Sequence, residues 1–354
     1  MKPSLSARVL TRRGLLGAAL AGAAAAAVPA AVPATATAAP APARARRPHT
    51  LPATVHAHAD TLYPEGVIWD PTRRAFLVGS SRHGTVSVVH GSGTVTPLIA
   101  NPDPRMVSTI GMGLDLARNR LLVSYFDLGE GVRSTPETLL KVSGVGFFDL
   151  ATGEQRALVD LAIGSEQYHA ADRMAIDLFG NAYVCDPAAN KIYFVTPRGE
   201  ASVLVDHTVL APGVQLGLGA GTTGLALHPG GFLLAMNYSE GILVRVPLAD
   251  PGAAAPVELP APLYGGDGIA LRPDGSLIVV TNALSTTQGT DGVTVLRPVD
   301  ARWSAAEVVR QVRPWPVPAP TDVAVTPRGS YVLSGRADLL AKGTVSDDFT
   351  LQRL

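Results

Sequence analysis

The 354-residue chain lacks much of what many protein classes require. Its single cysteine, Cys185, excludes an internal disulfide framework and any cysteine-based zinc cluster. Charged residues are 16% of the total, well below the roughly 25% of an ordinary soluble domain. The 29 basic residues are matched by 29 acidic ones, so binding to nucleic acid through phosphate attraction is not expected. Beyond residue 50 no segment sustains the i, i+3, i+4 apolar spacing of an amphipathic helix. Together with 36 Gly and 29 Pro, this argues against a helical bundle or coiled coil.

What is present begins with a leader. Residues 1–38 carry Lys2, Arg8, Arg12 and Arg13 and no acid. Arg12 and Arg13 directly precede a mildly apolar Ala/Gly/Leu run, 14–32, and Ala36-Thr37-Ala38 offers a small-x-small cleavage site, as Ala34-Thr35-Ala36 does equally. That layout predicts a twin-arginine signal peptide over 1–38 and export to the cell envelope or the medium. The apolar run is short for a membrane span and contains Pro29, so no span is expected after cleavage. The remainder holds 25 basic and 29 acidic residues, a net charge of −4. Residues 39–50, rich in Pro, Ala and Arg, read as a disordered linker, and 51–354 as the folded domain.

That domain is periodic. Short β-branched and aliphatic runs alternate with Gly, Pro, Asn and Asp, and one signature recurs: a small or polar residue, an apolar strand, a turn, then a second apolar strand. It occurs at 65–71 (EGVIWDP), 110–115 (IGMGLD), 172–177 (DRMAID), 223–229 (TGLALHP), 267–273 (DGIALRP) and 321–327 (TDVAVTP). The copies are spaced by 45, 62, 51, 44 and 54 residues, about the length of one four-stranded propeller blade with its loops. A single blade cannot bury both faces, so sheets must stack radially and close into a ring. The prediction is an all-β, six-bladed β-propeller with four-stranded antiparallel blades. Segments 54–58 (TVHAH) and 348–351 (DFTL) are the candidate strands of a shared closing blade.

In a propeller the first strand of each blade flanks the central channel, so the opening residues Glu65, Ile110, Asp172, Thr223, Asp267 and Thr321 are expected near one mouth. Carboxylates converging there repel one another unless they are protonated or share a cation. A hard divalent ion, Ca²⁺ first, suits such oxygen donors. The alternative is that these side chains cap turns or bond neighbouring backbone, as Asp and Thr routinely do.

The stretches 64–69 (PEGVIW), 171–177 (ADRMAID), 223–227 (TGLAL) and 267–270 (DGIA) resemble the gluconolactonase, regucalcin (senescence marker protein) and lactonase group of six-bladed propellers. The resemblance implies metal ligands at Glu65 and Asp267. It also implies a ligand at Thr223, where the family carries Asn, and a metal- or substrate-contacting role for Asp172, again in place of Asn. The activity implied is a metal-dependent hydrolase: a cation in the channel holds a lactone or ester, and Asp172 or Asp267 deprotonates the attacking water. Arg173 and His169 are the candidate substrate-binding residues. A non-catalytic propeller binding a small ligand or a protein partner is the other reading. A monomer is expected.

Other features point elsewhere. Residues 219–224 (GAGTTG) match a dinucleotide-binding fingerprint but lead into a strand, where no helix terminus awaits a pyrophosphate. His56 and His58 share one strand face without a third ligand nearby. Ser80 to His83 form a strand-to-strand loop rather than a nucleophile elbow. Trp303 and Trp315 precede the last repeat, to form a lid or to pack.

Overall fold

A computed structural model describes residues 51–211 and 220–354; the export signal and linker expected over 1–50 lie outside the described residues. The six recurring signatures form the innermost strands of six four-stranded antiparallel sheets. Those innermost strands are Val67–Asp70, Ser108–Asp115, Met174–Ile176, Thr222–His228, Gly266–Leu271 and Pro320–Thr326, in blades one to six. Each packs on the innermost strands of both neighbours and the sixth returns to the first, so the ring is closed. The chain is a six-bladed β-propeller, and blade three faces blade six across the channel.

The ring is fastened by its own ends. Blade six takes three strands from the C-terminal part of the chain and its outermost strand from the N-terminal part. Thr54 pairs with Gln352 and His58 with Asp348 along that seam. His56 and His58 lie on its exposed face, where His58 Nδ1 meets Asp348 Oδ1 at 3.0 Å. They are surface residues of the seam, as a lone pair of histidines suggests.

The hydrophobic core is divided among the interfaces between blades. In blade one the strand Ala75–Gly79 is buried throughout. Phe76 and Val78 pack toward blade six with Tyr331 and Leu333, while Ala75 and Leu77 pack toward blade two with Leu121 and Val123. Successive side chains point to opposite faces, so a strand covered on both sides reads as an unbroken apolar run. The same arrangement joins every adjacent pair. Each fully buried Val, Leu or Phe contributes about 1.5–3 kcal/mol, and none of it is available to an isolated blade. Trp303 and Trp315 are buried in two of these interfaces; they pack and form no lid.

The recurring glycine after the opening residue has a packing cause. A Cβ on Gly66, Gly111, Gly224 or Gly268 would run into the backbone of the next blade's opening motif: Ile110, Asp172, Asp267 and Thr321–Asp322 respectively. Inner strands approach too closely there for any side chain directed at the neighbour. Gly224→Ala is therefore expected to cost about 1–3 kcal/mol or more. Gly252→Ala, whose Cβ meets only Asp250 Oδ1 at 3.6 Å, should stay within roughly 0.5 kcal/mol of wild type. Urea unfolding of both variants checks the pair, and equal midpoints would refute the close-packing account.

Candidate functional site

Two of the six motifs have no glycine at the second position. They are the third, with Arg173, and the sixth, with Asp322, and their blades are diametrically opposed. Arg173 is buried, 5% exposed, and its guanidinium reaches across toward blades five and six. Nη1 donates to Asp172 Oδ1 at 2.7 Å. Nη2 donates to the carbonyl oxygens of Glu65 at 3.1 Å and Thr321 at 3.3 Å. Nη2 also lies 3.5 Å from Asp267 Oδ1, and Nε lies 3.5 Å from Asp322 Oδ2. One side chain thus ties blades three, five and six to the segment leading into blade one.

The opening residues do converge. Asp172, Thr223 and Asp267 are buried, and Glu65 is half-buried. Asp267 is held on both oxygens, by Arg173 at Oδ1 and by Asn282, whose Nδ2 donates to Oδ2 at 2.8 Å. Tyr238 donates to Asn282 Oδ1 at 2.6 Å and fixes that amide. Asp322 accepts from the Val67 amide at 2.9 Å and from its neighbour Val323 at 2.8 Å. Glu65 Oε2 accepts from Ser81 Oγ at 3.2 Å. The serine loop is therefore part of this mouth, although it contains no triad. Thr223 instead donates its hydroxyl to the Gly266 carbonyl at 3.0 Å, in the manner of a strand-to-strand tie.

His169 stands apart from these groups. It is buried, with Nδ1 3.2 Å from the Tyr193 hydroxyl and 3.6 Å from Asp186 Oδ2. The contact with Asp186 holds its pKa above the ordinary value. Asp186 Oδ1 in turn accepts the amides of Ala170, Ala188 and Ala189. These contacts order the loop that delivers Asp172. Cys185 is a buried thiol whose Sγ lies 3.3 Å from the carbonyls of Arg173 and Thr223; burial raises its pKa well above the usual thiol value.

Burial dominates the electrostatics. It pushes Asp267 up to about 7, with Arg173 opposing and Glu65 reinforcing the rise. Asp172 is raised well above the carboxylate range by burial and by Glu65, Asp267 and Asp322, again against Arg173. Burial likewise raises Glu65 and Asp322. Burial alone would lower the pKa of Arg173, but the surrounding carboxyls outweigh it and keep the guanidinium charged. Near this mouth, burial and the charge of Glu65 push Glu130 up to about 7. Four carboxyls share one guanidinium, so the cluster retains protons at neutral pH and titrates as a unit.

The expected divalent ion does not suit this donor set. Calcium takes about 6–8 oxygens in a shell, whereas here the carboxyls of Asp172, Asp267 and Asp322 surround a fixed positive charge. Thr223 Oγ1 already serves a backbone carbonyl. Among the described residues no group of three or more His, Cys, Asp or Glu side chains is arranged to hold a metal ion. Beyond the guanidinium, toward the other mouth, lies a cavity of about 270 Å³. Apolar side chains, including Trp69, Met112, Met174, Leu225, Ile269 and Val323, line it together with Arg173, Asp322 and strand backbone, so polar and apolar surface are about equally represented. Arg173 thus stands between the carboxyls of the strand openings and this cavity.

Sequence reasoning missed Asp322, Glu130, Ser81, Asn282 and Tyr238. Only Asp322 carries a sequence signal, the loss of glycine at the second motif position.

No protein-family model matches the chain, and no curated protein sequence matches it. Solved structures do. The Malassezia sympodialis allergen Mala s 1 superposes with a TM-score of 0.66 at 19% identity, over 86% of this chain and 96% of that one. A provisionally named gluconolactonase gives 0.56 at 15% identity, covering 85% and 92%. A glucose dehydrogenase gives 0.55 at 13% identity, covering 86% and 100%. At these identities the likeness establishes a shared β-propeller fold and no more.

The raised pKa of Asp267 has a consequence for stability. Between its unfolded value near 3.8 and about 7 the folded state binds the extra proton, so this group's contribution is fully present below that window and lost as pH rises through it. Asp267→Asn removes the titration while Arg173, Asp172, Glu65, Asp322 and Asn282 remain. The melting temperature of Asp267→Asn relative to wild type should therefore rise between about pH 4.5 and about pH 7.5. A difference that stays constant over that interval contradicts the assignment.

Proposed function

We propose that the protein is an exported hydrolase or lyase of small oxygen-rich molecules, lactones and related esters first, working by proton transfer among the carboxyls of the Glu65 mouth. The observation that carries this reading is the excess of buried carboxyls over positive charge at a channel mouth. Such a group of sites can both accept and donate a proton near neutral pH. Asp267, with a pKa of about 7, suits the base that takes a proton from the attacking water. Asp172, whose pKa burial and the neighbouring carboxyls raise well above the ordinary range against the pull of Arg173, suits the acid that donates to the carbonyl or leaving ring oxygen as charge develops. Arg173 holds both in place through its contacts at 2.7 and 3.5 Å. The names of the fold neighbours, a provisionally named gluconolactonase and a glucose dehydrogenase, lend support through sugar-like substrates, and the paired Arg12 and Arg13 before an apolar run are the ground for proposing export.

A second reading rests on a specific observation. The donors of Arg173 are largely taken up by protein oxygens, which fits a structural strut in a propeller that binds a small ligand or protein partner without turnover.

Hydrolysis of a panel of γ- and δ-lactones, followed by proton release, separates the two. Wild type should turn over at least one lactone with kcat/KM rising through about pH 7. Asp267→Asn and Asp172→Asn should each lose about 10²–10⁴-fold. Rates equal to buffer for all three proteins, with retained fold, would leave the binding reading.

A further inference from the structure

We infer that Arg173 is the resident cation of the propeller: its guanidinium takes the place that a divalent metal would occupy, and the wild-type channel takes up no such ion. The inference concerns charge and geometry and holds whether or not the protein turns over a substrate.

The repeat itself makes the case. Four of the six motifs place glycine after the opening residue because the next blade leaves no room. At the two exceptions the chain carries opposite charges, Arg173 and Asp322, on opposite sides of the ring. Three of the guanidinium's contacts are to carboxyls from three separate opening motifs, at 2.7, 3.5 and 3.5 Å. Two more are to main-chain carbonyls of Glu65 and Thr321. These are the oxygens a hard cation would need, and a second positive charge among them would be repelled at close range in a low-dielectric setting. Arginine stays protonated at every accessible pH, so no titration vacates the position, whereas a metal could be removed by a chelator.

Removing the guanidinium should expose the cage. Arg173→Gly restores the repeat's usual residue and leaves the carboxyls of Asp172, Asp267, Asp322 and Glu65 without a counter-charge. That set of oxygens suits Ca²⁺ or its luminescent substitute Tb³⁺.

The test titrates Tb³⁺ into wild type and Arg173→Gly, and melts both proteins with EDTA and with roughly 1 mM Ca²⁺. Wild type should melt at one temperature in every condition and show no saturable Tb³⁺ emission that depends on Asp267. Arg173→Gly should melt lower than wild type, bind Tb³⁺ saturably with displacement by Ca²⁺, and regain several degrees when Ca²⁺ is added. Saturable Tb³⁺ binding to wild type that is abolished by Asp267→Asn, or a wild-type melt lowered by EDTA, overturns the inference. So does a folded Arg173→Gly that melts like wild type and takes no ion. If Arg173→Gly does not fold, Arg173→Lys keeps a charge at the centre and is expected to fold and to ignore Ca²⁺. An Arg173→Lys protein stabilised by Ca²⁺ would count against the inference, and the wild-type titrations decide it independently.

Discussion

A buried guanidinium held by carboxyls from opposed blades is the constraint around which the rest of the molecule is arranged. A propeller closes by packing sheets side by side, which brings six strand starts toward one axis and creates a crowded polar mouth. In this chain several of those starts are acidic, and the desolvation of their carboxyls would work against closure if nothing answered it. Arg173 answers it from inside the ring, with contacts to Asp172, Asp267 and Asp322. A buried charge is costly alone, and so is a group of like charges. Together, with some carboxyls retaining protons, they form a compact charge-balanced plug that also links blades far apart in sequence.

The seam and the plug act on different parts of the ring. The pairing of residues 54–58 with the C-terminal strand joins the chain ends at the outer edge of blade six. Arg173 and Asp322 join that same blade to blade three across the axis, and the Val67 amide bonded to Asp322 carries the connection into blade one. The outer seam relies on backbone hydrogen bonds and buried apolar faces, while the inner connection relies on charge. Protonation changes therefore bear mainly on the centre of the ring, and at the seam they reach the exposed His58–Asp348 contact.

Much of the fold was legible because it depends on repetition. The recurring apolar pairs, their spacing and the closing strands at 54–58 and 348–351 all follow from the need of each blade to bury both faces against its neighbours. The positions of Glu65, Asp172 and Asp267 at a shared mouth were legible for the same reason. The identity of the positive charge they share was harder to read. Arg173 sits beside Asp172 in the sequence, where it resembles an ordinary exposed arginine at a loop end, and only the ring turns it inward. Its opposite number, Asp322, was hidden by the same lack of three-dimensional register. His169 looked like a functional loop histidine, but its contacts with Tyr193 and Asp186 belong to the support of that loop. Glu130 and Ser81 come from loops outside the repeat, and a periodic pattern carries no information about which loop reaches which mouth.

A fixed guanidinium gives the site different capabilities from a bound metal. A divalent ion offers open coordination positions and can polarise a substrate oxygen directly. Both Nη atoms of Arg173 already donate to protein oxygens while Nε makes no hydrogen bond, so its influence on any bound molecule passes largely through the carboxyls it holds. That places the chemical versatility of the mouth in proton sharing between Asp172, Asp267 and Glu65, with Glu130 nearby. The same side chain lies between those carboxyls and the cavity lined by Trp69, Met112 and Leu225. The residue that answers the charge at the ring's centre is thus also the one that fixes how the carboxyls around it are placed.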